Sequence, residues 1–175
     1  VNAEQLKTIM EHSVANASAS GNADGRFAQV SGMRVVYDTT RASGERIVSI
    51  VLDDGTVLVQ GGEVVDDARS FSLTTIDFTA NGGDGHPFAA AGIEFENAVS
   101  SITYQQALQE YITDATSEGG LGGVISASRY GVADPLDPAG RLVDLAISPV
   151  PEADTWALLL AGLGLLGAFA RRRSY

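Results

Sequence analysis

The stretch GRFAQVSGMRVVYD, residues 25–38, decides how this chain reads. It opens on Gly25, passes Phe27, turns again at Gly32 and runs into Met33–Tyr37, whose apolar and β-branched residues read as a strand. Ile47–Leu52 reads as its neighbour, with Val48, Ile50 and Leu52 alternating with Ser49 and Val51. Asp53-Asp54-Gly55 is a tight-turn sequence, and Thr56–Gln60 pairs back as a hairpin before Gly61-Gly62 breaks the pattern. Phe71–Phe78 reads as a further strand, ending in NGGDG at 81–85. Upstream, residues 2–15 read as a helix, with Leu6, Ile9, Met10 and Val14 on one side and Glu4, Lys7 and Glu11 on the other. The polar, turn-rich NASASGNADG at 16–25 is a loop. A second helix is predicted over Ser101–Thr116, with Ile102, Leu108, Tyr111 and Ile112 as its apolar positions and Ser100 or Ser101 as its cap. No repeat runs along the chain, and the fold class is α+β, a sandwich of sheet and helices with more strand than helix.

The 175 residues carry 22 acidic and 11 basic side chains, a net charge of -11. That acidity argues against nucleic acid as a partner, because phosphate binding needs clustered Lys and Arg. A hydrophobic content of 45% supports a real core rather than a disordered chain. With no Cys, disulfide scaffolds and thiolate metal sites are excluded. The chain opens on Val1 and runs straight into a helical pattern, without the basic and apolar regions of a signal peptide. It reads as the C-terminal piece of a longer polypeptide.

After Ser117 the texture changes. Gly119, Gly120, Gly122 and Gly123 crowd together, and Asp134-Pro135 and Asp137-Pro138 follow. The compact domain is placed at 1–116, with a last strand admitted over 141–147. Residues 117–149 read as a Gly/Pro-rich linker, and 150–175 as a separate tail.

The tail holds an uncharged run from Trp156 to Ala170, closed by Arg171, Arg172 and Arg173. As a helix that run is roughly 22 Å long, against about 30 Å of bilayer hydrocarbon. Its flanks favour a membrane helix over 155–170, with Trp156 at one interface and snorkelling arginines at the cytoplasmic one. Val150-Pro151-Glu152, the apolar run and the arginine cluster together resemble a PEP-CTERM sorting signal, with Ala153 where such signals usually have Pro. The resemblance implies a Gram-negative bacterium, an upstream signal peptide, an exosortase as partner and anchoring in the inner membrane. The soluble domain would stand in the periplasm, then at the cell surface or outside after sorting.

Two segments carry the chemistry of the soluble domain. One is Gly25–Asp38; the other is Asp77–Gly85. A glycine-rich loop lets backbone approach a ligand closely, and its N–H groups can form an anion-binding nest. Asp84 offers two acceptor oxygens, which suits sugar hydroxyls. Phe78 at the loop's edge and an exposed Phe27 would supply the two faces of a base clamp. On spacing alone, two core phenylalanines and a plain glycine turn fit equally, and a calcium loop shows too few oxygen ligands.

Together these segments resemble the C-terminal domain of the 5′-nucleotidase family. Leu6-Lys7 with Glu11-His12-Ser13-Val14 matches that domain's helix. Gly25–Tyr37 matches its first strand, and Phe78–Gly85 its glycine loop. The resemblance spans about residues 2–116. It implies that Phe27 and Phe78 sandwich a nucleobase, that Asp84 binds ribose hydroxyls, and that Asn81, Gly82 and Gly83 line the substrate site. It departs at His86-Pro87, where the family usually has an aromatic residue, at Thr79 for a common Leu and at Asp77 for a frequent Asn, changes that bear on base choice.

The family's phosphoryl chemistry needs two divalent metal ions held in an N-terminal domain. None is expected in this piece. Its two histidines, His12 and His86, are far apart in sequence, and His12 reads as structural. Arg26, Arg34, Arg41 and Arg46 read as surface charges. The expected function is nucleoside recognition within an exported nucleotide phosphoric ester hydrolase, this piece alone having no catalytic residue. The alternative is a non-catalytic surface or matrix protein that reuses the fold.

Overall fold

The computed structural model describes residues 1–18, 24–96, 102–115, 120–126 and 140–147. Helix α1, Ala3–Ser13, starts at a capping box. Asn2 Oδ1 accepts from the Gln5 N–H, and Gln5 Oε1 accepts from the Asn2 N–H, both at 2.9 Å. Strands β1 (Met33–Tyr37), β2 (Ile47–Leu52), β3 (Val57–Gln60) and β4 (Glu63–Val64) follow as an antiparallel meander. After the one-turn helix α2 (Asp77–Ala80) and helix α3 (Tyr104–Thr113), β5 (Leu142–Asp144) joins parallel to β1. Among the described residues the sheet order is β4-β3-β2-β1-β5. Within the span 141–147, where a last strand is expected, Leu142–Asp144 is extended and shares the sheet with β1.

One face of the sheet packs on α1. Ala3, Leu6, Met10 and Val14 meet Met33, Val35, Tyr37, Ile47, Ile50, Leu58 and Val59 in one buried cluster. Each fully buried side chain of Leu or Ile size is worth roughly 1.5–3 kcal/mol over exposure. Strict alternation along β2 is not what the core uses. Residues Tyr37 and Ile47 pair across a bulge that skips Val48, so Ile47 and Ile50 both face inward while Val48 is half-buried.

The helix is pinned to the sheet by one carboxylate. Glu11, 8% exposed, accepts from the main-chain N–H of Arg46 through Oε2 and of Ile47 through Oε1, each at 2.9 Å. Arg46 returns the contact, its guanidinium donating to the carbonyls of Val14 (2.6 Å) and Ala17 (2.8 Å) at the end of α1. Far from being a plain surface charge, Arg46 satisfies carbonyls that the helix end leaves open.

Two expectations are corrected. Residues 71–76 form no strand. Phe71 exchanges main-chain hydrogen bonds with Val1, at 2.8 and 2.9 Å, and Phe71 and Leu73 lean on the core. The segment then leaves the extended conformation at Asp77, whose Oδ1 accepts the Phe78 N–H and starts the turn of α2. The second helix is shorter than Ser101–Thr116, beginning at Tyr104 with Thr103 as its cap; Ser100 and Ser101 lie outside the described residues. No residue of α3 is buried. Its C-terminal carbonyls are instead capped by the glycine run, Leu121 N–H donating to Tyr111, Gly122 to Asp114 and Gly123 to Ile112. No helix among the described residues is long and apolar enough to cross a membrane, and the span expected at 155–170 lies outside them.

Replacing Glu11 by Ala leaves two N–H groups without an acceptor. Urea unfolding of the Glu11→Ala protein is expected to show a loss of about 3 kcal/mol or more, with Glu11→Gln intermediate because its amide oxygen still accepts. Unchanged stability of Glu11→Ala would show that the clamp contributes nothing.

Candidate functional site: the glycine loop at the end of helix α1

Three consecutive side chains in the last turn of α1 point three ways. Glu11 reaches β2. Ser13 Oγ accepts the Ala28 N–H at 2.8 Å and so seats the segment before β1. His12 Nε2 donates to the Asp84 carbonyl at 3.0 Å and so holds the loop after α2. The two segments that carry the sequence motifs are joined through this one helical turn.

The segment before β1 is shaped by Asp24. Its Oδ1 accepts the Arg26 main-chain N–H at 3.1 Å, its carbonyl accepts the Phe27 N–H at 3.1 Å, and its carboxylate pairs with the Arg26 guanidinium at 3.2 Å. Burial pushes the Asp24 carboxyl up. The Arg26 N–H, the Arg26 charge and Asn16 outweigh it, leaving Asp24 below the usual carboxylate range. Arg26 and Arg41 are thus held by local carboxylates, Asp24 and Asp38.

The loop is built from turns that few residues tolerate. The Asn81 side-chain amide donates to the Asp77 carbonyl at 2.8 Å and closes α2. Gly82 takes φ 87°, and a 3₁₀ turn covers Gly83–Gly85. Within it Asp84 stands at φ 52°, the only non-glycine residue with positive φ among those described. A left-handed backbone is uncommon outside glycine, and aspartate is one of the few residues that adopt it.

Glycine marks where the segments touch. A Cβ on Gly25 would lie 3.1 Å from Asp84 Oδ2, so the Asp84 carboxylate rests against the bare backbone of Gly25. A Cβ on Gly83 would overlap the Phe78 ring, which therefore lies flat on the loop. Phe78 is 56% exposed. Phe27 differs from its expected exposure. It is half-buried, leans on the core and meets Tyr37 edge-on with ring centroids 6.1 Å apart. Asn81, Gly82 and Asp84 are exposed and Gly83 is half-buried.

The contribution that sequence reasoning missed is the histidines. His12 and His86, 74 positions apart, have ring centroids 5.0 Å apart, and His86 stacks on the buried Phe88 at 5.8 Å. The signal lay in Glu11-His12-Ser13 and in the place of His86 directly after Gly85. His86 is 8% exposed, and its Nδ1 has no hydrogen-bond partner among the described residues. Burial, then the charge of His12, push its pKa below the ordinary histidine value, against the opposing pull of Asp84. Among the described residues no group of three or more His, Cys, Asp or Glu is placed to hold a metal ion.

The α1-braced sheet thus carries a glycine loop with Phe78 on it and Phe27 in the neighbouring segment. The model of the 5′-nucleotidase C-terminal domain matches residues 2–92, and the chain belongs to that family. The PEP-CTERM protein-sorting motif matches residues 149–174, which include Val150, Pro151, Glu152 and Arg171 to Arg173. The chain is 33% identical over 82 residues to an apyrase of Tabanus yao, covering 47% of this chain and 15% of the apyrase. It is 35% identical over 80 residues to a 5′-nucleotidase of Homo sapiens, covering 46% of this chain and 13% of that protein. A solved 5′-nucleotidase precursor from Thermus thermophilus is 26% identical with a TM-score of 0.40, covering 53% of this chain and 16% of that one. The chain thus spans only a small part of the length of the relatives it matches.

A depressed His86 pKa has a signed consequence. The folded state favours neutral His86, so its full contribution is present above the unfolded value of 6.5 and is lost as pH falls from there toward the folded pKa. The midpoint of thermal unfolding is expected to drop more steeply below pH 6.5 in the unaltered protein than in His86→Phe, which keeps the stack on Phe88. Parallel pH curves for the two would contradict this.

Proposed function

We propose that this chain is the nucleoside-binding C-terminal part of an exported metallophosphoesterase that hydrolyses nucleotide phosphate esters. The contact of Gly25 with Asp84 carries the reading: it joins the two family motifs at one place, next to an exposed aromatic ring. Phe78 offers one face to a base and Phe27 the edge of the opposing wall. Asp84 accepts hydrogen bonds from ribose hydroxyls, and the backbone at Asn81, Gly82 and Gly83 lines the approach. Bound this way, a nucleotide has its base and sugar oriented and its phosphate left outside the domain. The two divalent metal ions that the family implies belong to a preceding domain, and the phosphoryl chemistry with them. The sorting motif supports export and recognition by an exosortase, with residues 155–170 in the inner membrane, Arg171 to Arg173 cytoplasmic and the domain outside.

The full-length polypeptide is expected to release phosphate from AMP in a chelator-sensitive manner. Phe78→Ala should raise KM for AMP about tenfold, since one stacked aromatic is worth roughly 1–3 kcal/mol, without moving the melting temperature. Phe27→Ala should raise KM too, and also cost about 1–2 kcal/mol of stability because half the ring belongs to the core. If no nucleotide is hydrolysed and no nucleoside bound, the fold serves a binding or structural role at the surface instead. In spheroplasts, added protease should digest residues 1–147; protection of the domain would reverse the assigned topology.

A further inference from the structure

The molecule's two histidines meet under the proposed nucleoside loop, and the mechanism above uses neither. Among the described residues, His12 reaches the main chain of the loop's left-handed residue, its Nε2 donating to the Asp84 carbonyl at 3.0 Å. Its Cε1 also lies against Gly85, where a Cβ would stand 3.3 Å away. Asp84 is left-handed at φ 52°, a conformation that aspartate adopts more readily than most non-glycine residues. Rotating the 83–85 turn would break the His12 bond and swing the Asp84 carboxylate off Gly25. The direction of the carboxylate and the hydrogen bond at its carbonyl are therefore one geometric unit.

We propose that His12 is the positioning residue of the nucleoside loop, holding the Asp84 main chain so that the Asp84 carboxylate faces the ribose site. The inference rests on the nucleoside reading and assigns to it a residue that touches no substrate. A carbonyl accepts only from a protonated Nε2, so the Nε2 of His12 carries the proton in this bond. His86 lies beside it, with ring centroids 5.0 Å apart. The charged groups facing the pair are Asp84 from the loop and Arg26 from the segment before β1; Glu11, the neighbour on α1, is turned toward β2.

The test uses the full-length polypeptide and two readouts: adenosine affinity by calorimetry at pH 7.5, and hydrogen exchange of the 82–86 amides without ligand. His12→Ala is expected to lose roughly tenfold in affinity, as for one hydrogen bond, and to exchange faster at 82–86. His12→Gln places an amide N–H near the position of Nε2 and carries no charge. It should restore affinity to near that of the unaltered protein. Should His12→Ala not fold, the Gln variant still decides. A folded Gln variant that binds poorly overturns the proposal, as does His12→Ala with unchanged affinity and exchange. If the unaltered protein binds no adenosine yet His12→Ala frees the 82–86 amides, the nucleoside reading fails and the positioning of the loop by His12 stands.

Discussion

The buried Glu11 carboxylate is the interaction on which the rest of this domain depends. A charge that is 8% exposed is tolerable only if its oxygens are satisfied. Here both are, by the N–H groups that open β2. The same stretch of β2 carries the bulge that turns Ile47 into the core, so one carboxylate links the helix register to the strand register. Arg46 closes the circuit by taking the carbonyls at the end of α1. The helix cannot slide or rotate on the sheet without orphaning main-chain groups at both ends of this contact.

That rigidity is passed on to the site. Glu11, His12 and Ser13 are consecutive, so anchoring the first fixes the positions from which the other two act. Ser13 then seats the segment at Ala28, and His12 the loop at Asp84. Two pieces of chain about sixty residues apart are brought together without touching each other through any apolar core of their own. Glycine at 25 and 83 completes the arrangement, because any side chain there would stand where Asp84 or Phe78 now rests. The aromatic pair is correspondingly unequal. Phe27 is partly a core residue tied to Tyr37, whereas Phe78 stands on the loop with more than half its surface open. The surface between them has one firm wall and one that follows the loop.

Much of the fold could be read directly. The stripe of Leu6, Met10 and Val14, the β-branched run at Met33–Tyr37 and the Asp-Asp-Gly turn are local patterns with local causes, and each element formed within a few residues of its expected bounds. Reading failed where a local pattern was overruled by what lay elsewhere. Phe71–Phe78 has strand-like residues, yet an aspartate at 77 turns the chain before a ladder forms. Alternation along β2 pointed to Val48, but the bulge chose Ile47. The helix expected over Ser101–Thr116 formed only at Tyr104–Thr113, and none of its residues is buried.

For the site, the sequence by itself determined the family motifs, the glycine loop, the acceptor at Asp84 and the candidate aromatics, because these are properties of residue type and short spacing. Only the tertiary structure decided that His12 and His86 meet, that Gly25 faces the Asp84 carboxylate, and that Phe27 belongs half to the core. Those are contacts between residues 59 or more positions apart, or depths of burial. They arise when α1 is docked on the sheet by Glu11, a long-range event that no local spacing encodes.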